Sequence, residues 1–404
     1  MTDAALRTGP ARFLLRDLVF SRSFAGRPYL ISPLADVLMA GGAGLLALAF
    51  FLIMLPKTGG RGISASDVAI TGAVFAALSY VVNYPHFMAS YQLLYGTLNR
   101  RMAAVPRGGL MWWRYVIAAY IVPVLLVAYF VVAVATQNTF LLGLSVQIMF
   151  FFVGWHYVKQ AYGVFVVLSG LKGIFYSRYQ VIALKLHVYS LWLYMWFTSG
   201  AVVLQGMSPR PLTFHNIQYD PFNLFKSQAL VEGLFWPVTA LAILGWGAII
   251  WNWVATRKRP SLSGLLGYTS MYSLLAFVTI HPLFIFAAPM FHSLQYMLFV
   301  YAYKRGEFSS AEPGHARQAG GPDMAAGKPY WMRMLGYFLM ICATGALFFD
   351  VIPLYFDVKS PRWGWPLLAT PMFHVFINTH HYFIDSAIWR KGDREVSRNL
   401  FAQP

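Results

Sequence analysis

From residue 34 onward the chain alternates between long apolar runs and short polar or basic breaks. About 20 apolar residues, each rising about 1.5 Å in a helix, cross a bilayer core. Runs of that length recur at roughly 34–55, 66–96, 112–136, 139–170, 181–204, 231–255, 264–280, 284–303, 332–354 and 365–389. The pattern predicts an all-α polytopic membrane bundle of about ten transmembrane helices, a single transmembrane domain over residues 1–404. The seventh and eighth helices are parted only by Ile280-His281-Pro282, and Pro289 interrupts again, so one of them is expected to be short or broken. Three segments fall outside the pattern: a basic tail over 1–30, a Gly-, Ala-, Ser- and Pro-rich loop over 306–330 expected to be flexible, and a basic tail over 390–404. The connection between the fifth and sixth helices, SPRPLTFHNIQYDPFNLFK, is longer than a turn requires and is a candidate lid on the outer face.

Charge orients the bundle. With the N-terminus inside, basic clusters fall at every second break: Arg7 to Arg27, Arg100 to Arg114, Lys172 and Arg178, Arg257 to Arg259, Lys304 to Arg333, and Arg390 to Arg398. The positive-inside rule then puts both termini in the cytoplasm and the protein in the inner or plasma membrane as a multi-pass chain. The net charge of +17 does not point to nucleic acid, because it sits in these inter-helix breaks. Composition agrees: 58% of residues are hydrophobic and only 11% charged, against about 25% charged in soluble domains. The single cysteine, Cys342, excludes an intrachain disulfide and cysteine-ligated clusters.

Chemistry is sought among the polar residues inside the spans, where ionisable groups are costly and mark function. Five of the ten histidines, His86, His156, His292, His374 and His381, lie within even-numbered helices. At about 1.5 Å per residue they spread over roughly 10 Å of depth near the membrane middle. Imidazole is the commonest metal ligand, so these five are candidate ligands. In the last helix His374, Asn378, His381 and Asp385 follow at i, i+4, i+7 and i+11, a stripe within about 60° of arc at 100° per residue. Asp385 is a candidate ligand, or an acceptor for the ring N–H of His381. His380 points away from that stripe. His156 shares a face with Gln160 and His292 one with Gln295 and Tyr296; Lys159, Gln160, Tyr296 and Asn378 are the candidate catalytic side chains, Lys159 as a partner for Asp385 or a substrate anion. Ala288-Pro-Met-Phe-His292 is echoed by Thr370-Pro-Met-Phe-His374, so both histidines are expected to line an internal cavity. His187 and His281 are expected at the outer ends of their helices as polar interface residues. His215 and His315 lie in the connecting loops.

Neutral imidazoles with an occasional carboxylate suit iron. The first expectation is a membrane-embedded non-haem iron oxidoreductase that uses O₂ to hydroxylate, desaturate or cleave a lipid or other lipophilic small molecule, supplied with electrons by a donor. In chemistry class this resembles the polyhistidine membrane desaturases and hydroxylases, whose HxxxH and HxxHH boxes are absent here. The alternatives are a bis-histidine haem b electron carrier and a proton-coupled transporter gated at Pro289 and Pro371. Walker A, GxSxG, GxGxxG and HExxH motifs are absent.

Overall fold

The computed structural model describes residues 29–54, 65–198, 212–215, 217–219, 228–280, 287–309, 329–359, 368–390 and 393–401. The described residues are all-α apart from one small hairpin. Ten long helical segments follow the predicted runs: α1 (33–54), α2 (65–95), then after the short α3 (Leu98–Ala103), α4 (Leu110–Ala135), α5 (Thr139–Leu171), α6 (Arg178–Thr198), α7 (Gln228–Thr256), α8 (Leu262–Ile280), α9 (Ala287–Ser309), α10 (Tyr330–Lys359) and α11 (Ala369–Ile388). A last short helix, α12 (Arg394–Phe401), ends the described chain. Five of the long segments, α1, α4, α5, α7 and α10, are long and apolar enough to cross a membrane. In α7 and α10 only 17% of the most apolar window is buried. Leu125, Phe140, Ile243, Trp251 and Leu354 all face outward. Apolar side chains turned out and polar ones turned in is the inverse of a water-soluble fold, and suits lipid.

The helices bend and stop where their sequences require it. Proline lacks a backbone N–H and crowds the carbonyl four residues back, and in three helices a single π turn widens the spiral just ahead of it: Ser79–Asn83 before Pro85, Ile117–Ile121 before Pro123, and Leu347–Val351 before Pro353. Around Pro123 the freed carbonyls find partners on other helices: Tyr95 Oη donates to the Ala119 oxygen (2.8 Å) and His380 Nε2 to that of Ala118 (2.8 Å). At the α4–α5 turn Gln137 takes the left-handed conformation (φ 50°). There the N–H groups of Gln137 and Asn138 close onto the carbonyls of Val134 and Ala133, the two bonds of a Schellman stop. The Asn138 side chain then caps α5 by accepting from Leu141 N (3.1 Å).

α2, α5, α9 and α11 form the inner layer, with α10 against α2, α8 and α6 against α5, α1 against α8 and α9, and α7 on the outside of α6. Basic ends gather at one end of this bundle. Arg305, at the end of α9, donates to the carbonyl of Leu30 ahead of α1. Lys258, after α7, donates to the Gly173 carbonyl after α5 (3.0 Å). Arg101, after α2, pairs with Asp393 after α11.

One boundary is revised, and two segments gain structure. The segment over 306–330 is not all loop: α9 runs on through Ser309, α10 starts at Tyr330, and residues 310–328, including His315, lie outside the described residues. Within the basic C-terminal segment, α12 docks on α9. Its Asn399 carbonyl lies so close to Gly306 that any Cβ there would collide with it. The long connection before α7 contains a hairpin, β1 (Leu212–Phe214) and β2 (Ile217–Tyr219), paired antiparallel with Phe214 opposite Ile217. It lies on α5 at Gly143, where a Cβ would come within 2.7 Å of the Gln218 oxygen, and Ile217 is buried with Phe130, Val146 and Val375. The predicted break between the seventh and eighth helices falls on residues 281–286, and the basic tail over 1–28 likewise lies outside the described residues.

Candidate metal centre

Four of the five predicted histidines converge. His86 on α2, His156 on α5, His292 on α9 and His381 on α11 each offer a ring nitrogen, and the four nitrogens lie within 4.8 Å of one another. All four side chains are buried, His381 completely. The rings form a closed circuit, with centroids 4.4 Å apart for His86–His381, 4.9 Å for His381–His156, 4.7 Å for His156–His292 and 5.2 Å for His292–His86. An ion bonded to two imidazole nitrogens at about 2.1 Å sits roughly 3.2 Å from each ring centre, so ligands at roughly 90–110° have centroids about 4.5–5.3 Å apart. The observed circuit has that spacing.

Its nitrogens form a donor set that could hold a cation. His156 Nε2 and His381 Nε2 face each other at 3.2 Å, a distance at which two lone pairs repel unless a proton or a metal lies between them. His86 Nε2, His292 Nε2 and His381 Nδ1 are buried without any hydrogen-bond partner, although buried polar atoms are rarely left unpaired. For His86 the tautomer follows from its neighbours. The Ser293 hydroxyl donates to Asn83 Oδ1 (2.8 Å), so the contact between Ser293 Oγ and His86 Nδ1 (3.0 Å) must carry the ring's own proton. The lone pair of His86 is therefore on Nε2. Ser293→Ala removes this fixing contact and is expected to weaken metal binding by about 10–100-fold while the bundle still inserts, as read by chelator competition.

Asp385 sits one turn below His381. Its Oδ2 lies 3.5 Å from His381 Nε2 and 3.7 Å from His156 Nε2, close enough to offset part of a cation's charge in a buried site. Its Oδ1 accepts from Tyr296 Oη (2.9 Å), and that phenol accepts in turn from Ser90 Oγ (2.7 Å) and Trp389 Nε1 (3.1 Å). Tyr296 thus holds Asp385 from behind. Aromatic rings wall the cluster: Tyr157 stacks on His292 (4.2 Å), Tyr382 lies on His156 (4.9 Å) and Phe87 on His381 (4.8 Å). A narrow cleft between α1, α8 and α9, lined by Met39, Gly44, Ser270 and Phe291, reaches His292.

The other predicted site residues lie outside the circuit. His374 is two turns from His381 on α11, and its Nδ1 donates to the Thr370 carbonyl (2.9 Å). The repeated Pro-Met-Phe-His does put Pro289 and Pro371 in the first turns of α9 and α11, where proline is tolerated. Of the two repeated histidines only His292 reaches the centre, where His381 rather than His374 represents α11. Gln160 touches the backbone of α9, donating to the His292 carbonyl and to Gln295 Oε1, both at 2.9 Å. Asn378 donates to the His374 carbonyl (2.8 Å) and accepts from Tyr382 Oη (3.1 Å). The Lys159 ammonium lies 4.5 Å above the Trp155 ring rather than on Asp385. His187 is no interface residue: it is fully buried, its two ring nitrogens held by Tyr268 and Tyr272 of α8. Ser293, Asn83 and Trp389 carry structural roles that spacing along one helix does not reveal, because each acts across a helix–helix contact.

Compared with protein-family models, curated proteins and solved structures, the chain matches none of them.

Proposed function

We propose that this chain is a multi-pass oxidoreductase of the cell membrane, in which His86, His156, His292 and His381 hold one iron ion and O₂ is used to hydroxylate, desaturate or cleave a lipophilic substrate. The reading rests on one observation: a closed circuit of buried imidazoles with two orphaned Nε2 atoms and a carboxylate at its edge. Iron in such an all-nitrogen and carboxylate setting supplies O₂ activation. The protein's own part is to aim the lone pairs, to exclude water behind Tyr157, Tyr382 and Phe87, and to keep Asp385 fixed by Tyr296. Ten spans with both termini in the cytoplasm are supported by the ten long helices and by the joining of basic breaks at one end. The five less apolar helices include α2, α9 and α11, which carry three of the four imidazoles.

The haem b alternative is less favoured, because the four rings close on one another and leave no plane for a macrocycle. The transporter reading loses support at Pro371, which stands in the first turn of α11 directly after the non-helical Leu368 rather than breaking a helix. Purified protein analysed for metals and by optical spectroscopy is expected to contain one iron per chain and no Soret band. Absence of any transition metal, or a Soret band, overturns the assignment. Asp385→Asn keeps the shape of the edge carboxylate but not its charge, and is expected to lower metal affinity or turnover by about 10–100-fold. Unchanged affinity and turnover would remove Asp385 from the site.

A further inference from the structure

At the hairpin end of α11 lies a second pair of imidazoles. His215 occupies the two-residue turn between β1 and β2 with φ 43°, a left-handed conformation that this kind of hairpin turn asks for. The turn lays the His215 ring on that of His374, with centroids 4.5 Å apart and planes tilted by 34°. This spacing falls within the 4.4–5.2 Å range of the inner circuit. The proton on His374 Nδ1 is committed to the Thr370 carbonyl, because a carbonyl can only accept, so its Nε2 carries the lone pair. The hairpin is anchored by Ile217 and by its contact at Gly143, so His215 is held in place rather than free to swing. Phe349 packs edge-on against His374 (5.0 Å). The next residue, Asp350, is near enough for its carboxylate to oppose the lowering of His215's proton affinity by desolvation. Seven residues separate His374 from His381, about 10.5 Å along the same stripe of α11, with Asn378 midway.

We propose that His215 and His374 form an outer, weaker site for a divalent transition-metal ion, the station from which the inner four-histidine centre is loaded. The loading role rests on the metal reading of the inner centre; the outer site does not. Two neutral imidazoles make a ligand set that captures borderline ions and releases them, whereas four retain them.

The experiment titrates metal-stripped, full-length protein in detergent with Zn²⁺ alone, counting equivalents by chelator competition and following uptake in time. Wild type is expected to bind one tight and one weak equivalent. His215→Ala, a change at a hairpin tip, and His374→Ala are each expected to lose the weak equivalent and to fill the tight site about tenfold more slowly, at unchanged final tight occupancy. Both variants matching wild type in stoichiometry and rate overturns the proposal. His156→Ala separates the two readings. If the inner centre is disabled, this protein should still bind the weak equivalent and lose it when His215→Ala is added. A His156→Ala protein that binds no weak equivalent sinks the outer site while leaving a tight equivalent in wild type, and therefore the inner centre, untouched.

Discussion

His381→Ala is expected to abolish stable metal binding, with bound metal falling from one per chain to near zero in protein that still inserts and purifies. No other side chain has so many contacts at the centre. Its ring abuts His86, His156, Phe87, Tyr296 and Tyr382, and it is completely buried. Alanine leaves a hole the size of an imidazole and removes one of four ligands. The hole alone is expected to cost about 2–4 kcal/mol, by analogy with large-to-small core changes. A larger loss appears in thermal unfolding with metal present, because the stabilisation that ligand binding confers on the folded state disappears too. The informative comparison is therefore the melting temperature of wild type and variant, each with and without added metal. Wild type should shift upward and His381→Ala should not. An equal shift in both would mean that the ion binds elsewhere.

Asp393→Ala is the second large effect, and it lies far from the centre. Arg101 and Asp393 are 1% and 2% exposed as side chains, a buried ion pair at the junction of α3, α4 and α12. The same carboxylate accepts from Tyr115 Oη (2.9 Å) and caps α12 through the N–H groups of Glu395 (2.8 Å) and Val396 (3.2 Å). Removing it leaves the Arg101 guanidinium buried without its paired carboxylate, though Nε still donates to Thr97 Oγ1 (2.6 Å). Breaking a buried pair from one side costs about 3–5 kcal/mol, most of it the uncompensated charge. Asp393→Ala should lower the unfolding temperature in detergent and expose α12 to protease. Adding Arg101→Met should recover much of the stability but not the helix cap. If the double variant is no more stable than the single one, the orphaned charge is not the cause.

Helix existence was legible because each run's length is fixed by the bilayer, not by partners. Each predicted run overlaps one long segment of the described residues, closely at 34–55 against 33–54 and 139–170 against Thr139–Leu171, less closely at 284–303 against Ala287–Ser309 and 332–354 against Tyr330–Lys359. The depth of the histidines was legible for the same reason, since rise per residue converts position into height. Lateral placement was not. Depth alone admitted His374 beside His381, and only the packing of α11 against α2 and α5 shows that the lower of the two reaches His86 and His156. The hairpin escaped because its two strands are three residues each, too short for an alternating pattern to register. The docking of α12 escaped because it depends on one carboxylate meeting a guanidinium nearly three hundred residues earlier in the chain.

The proline of α4 governs more than its own helix. By leaving the Ala118 and Ala119 oxygens without intrahelical donors, Pro123 provides a fixed dock that His380 and Tyr95 occupy. His380 Nδ1 is tied in addition to Tyr91 Oη (2.9 Å). Adjacent residues on a helix point about 100° apart, so pinning His380 outward against α4 sets the rotational phase of α11 and turns His381 toward its three companions. The paired imidazoles thus work as bearing and key: a substitution at residue 123, on a helix that contributes no ligand, would be felt as misalignment at the ion.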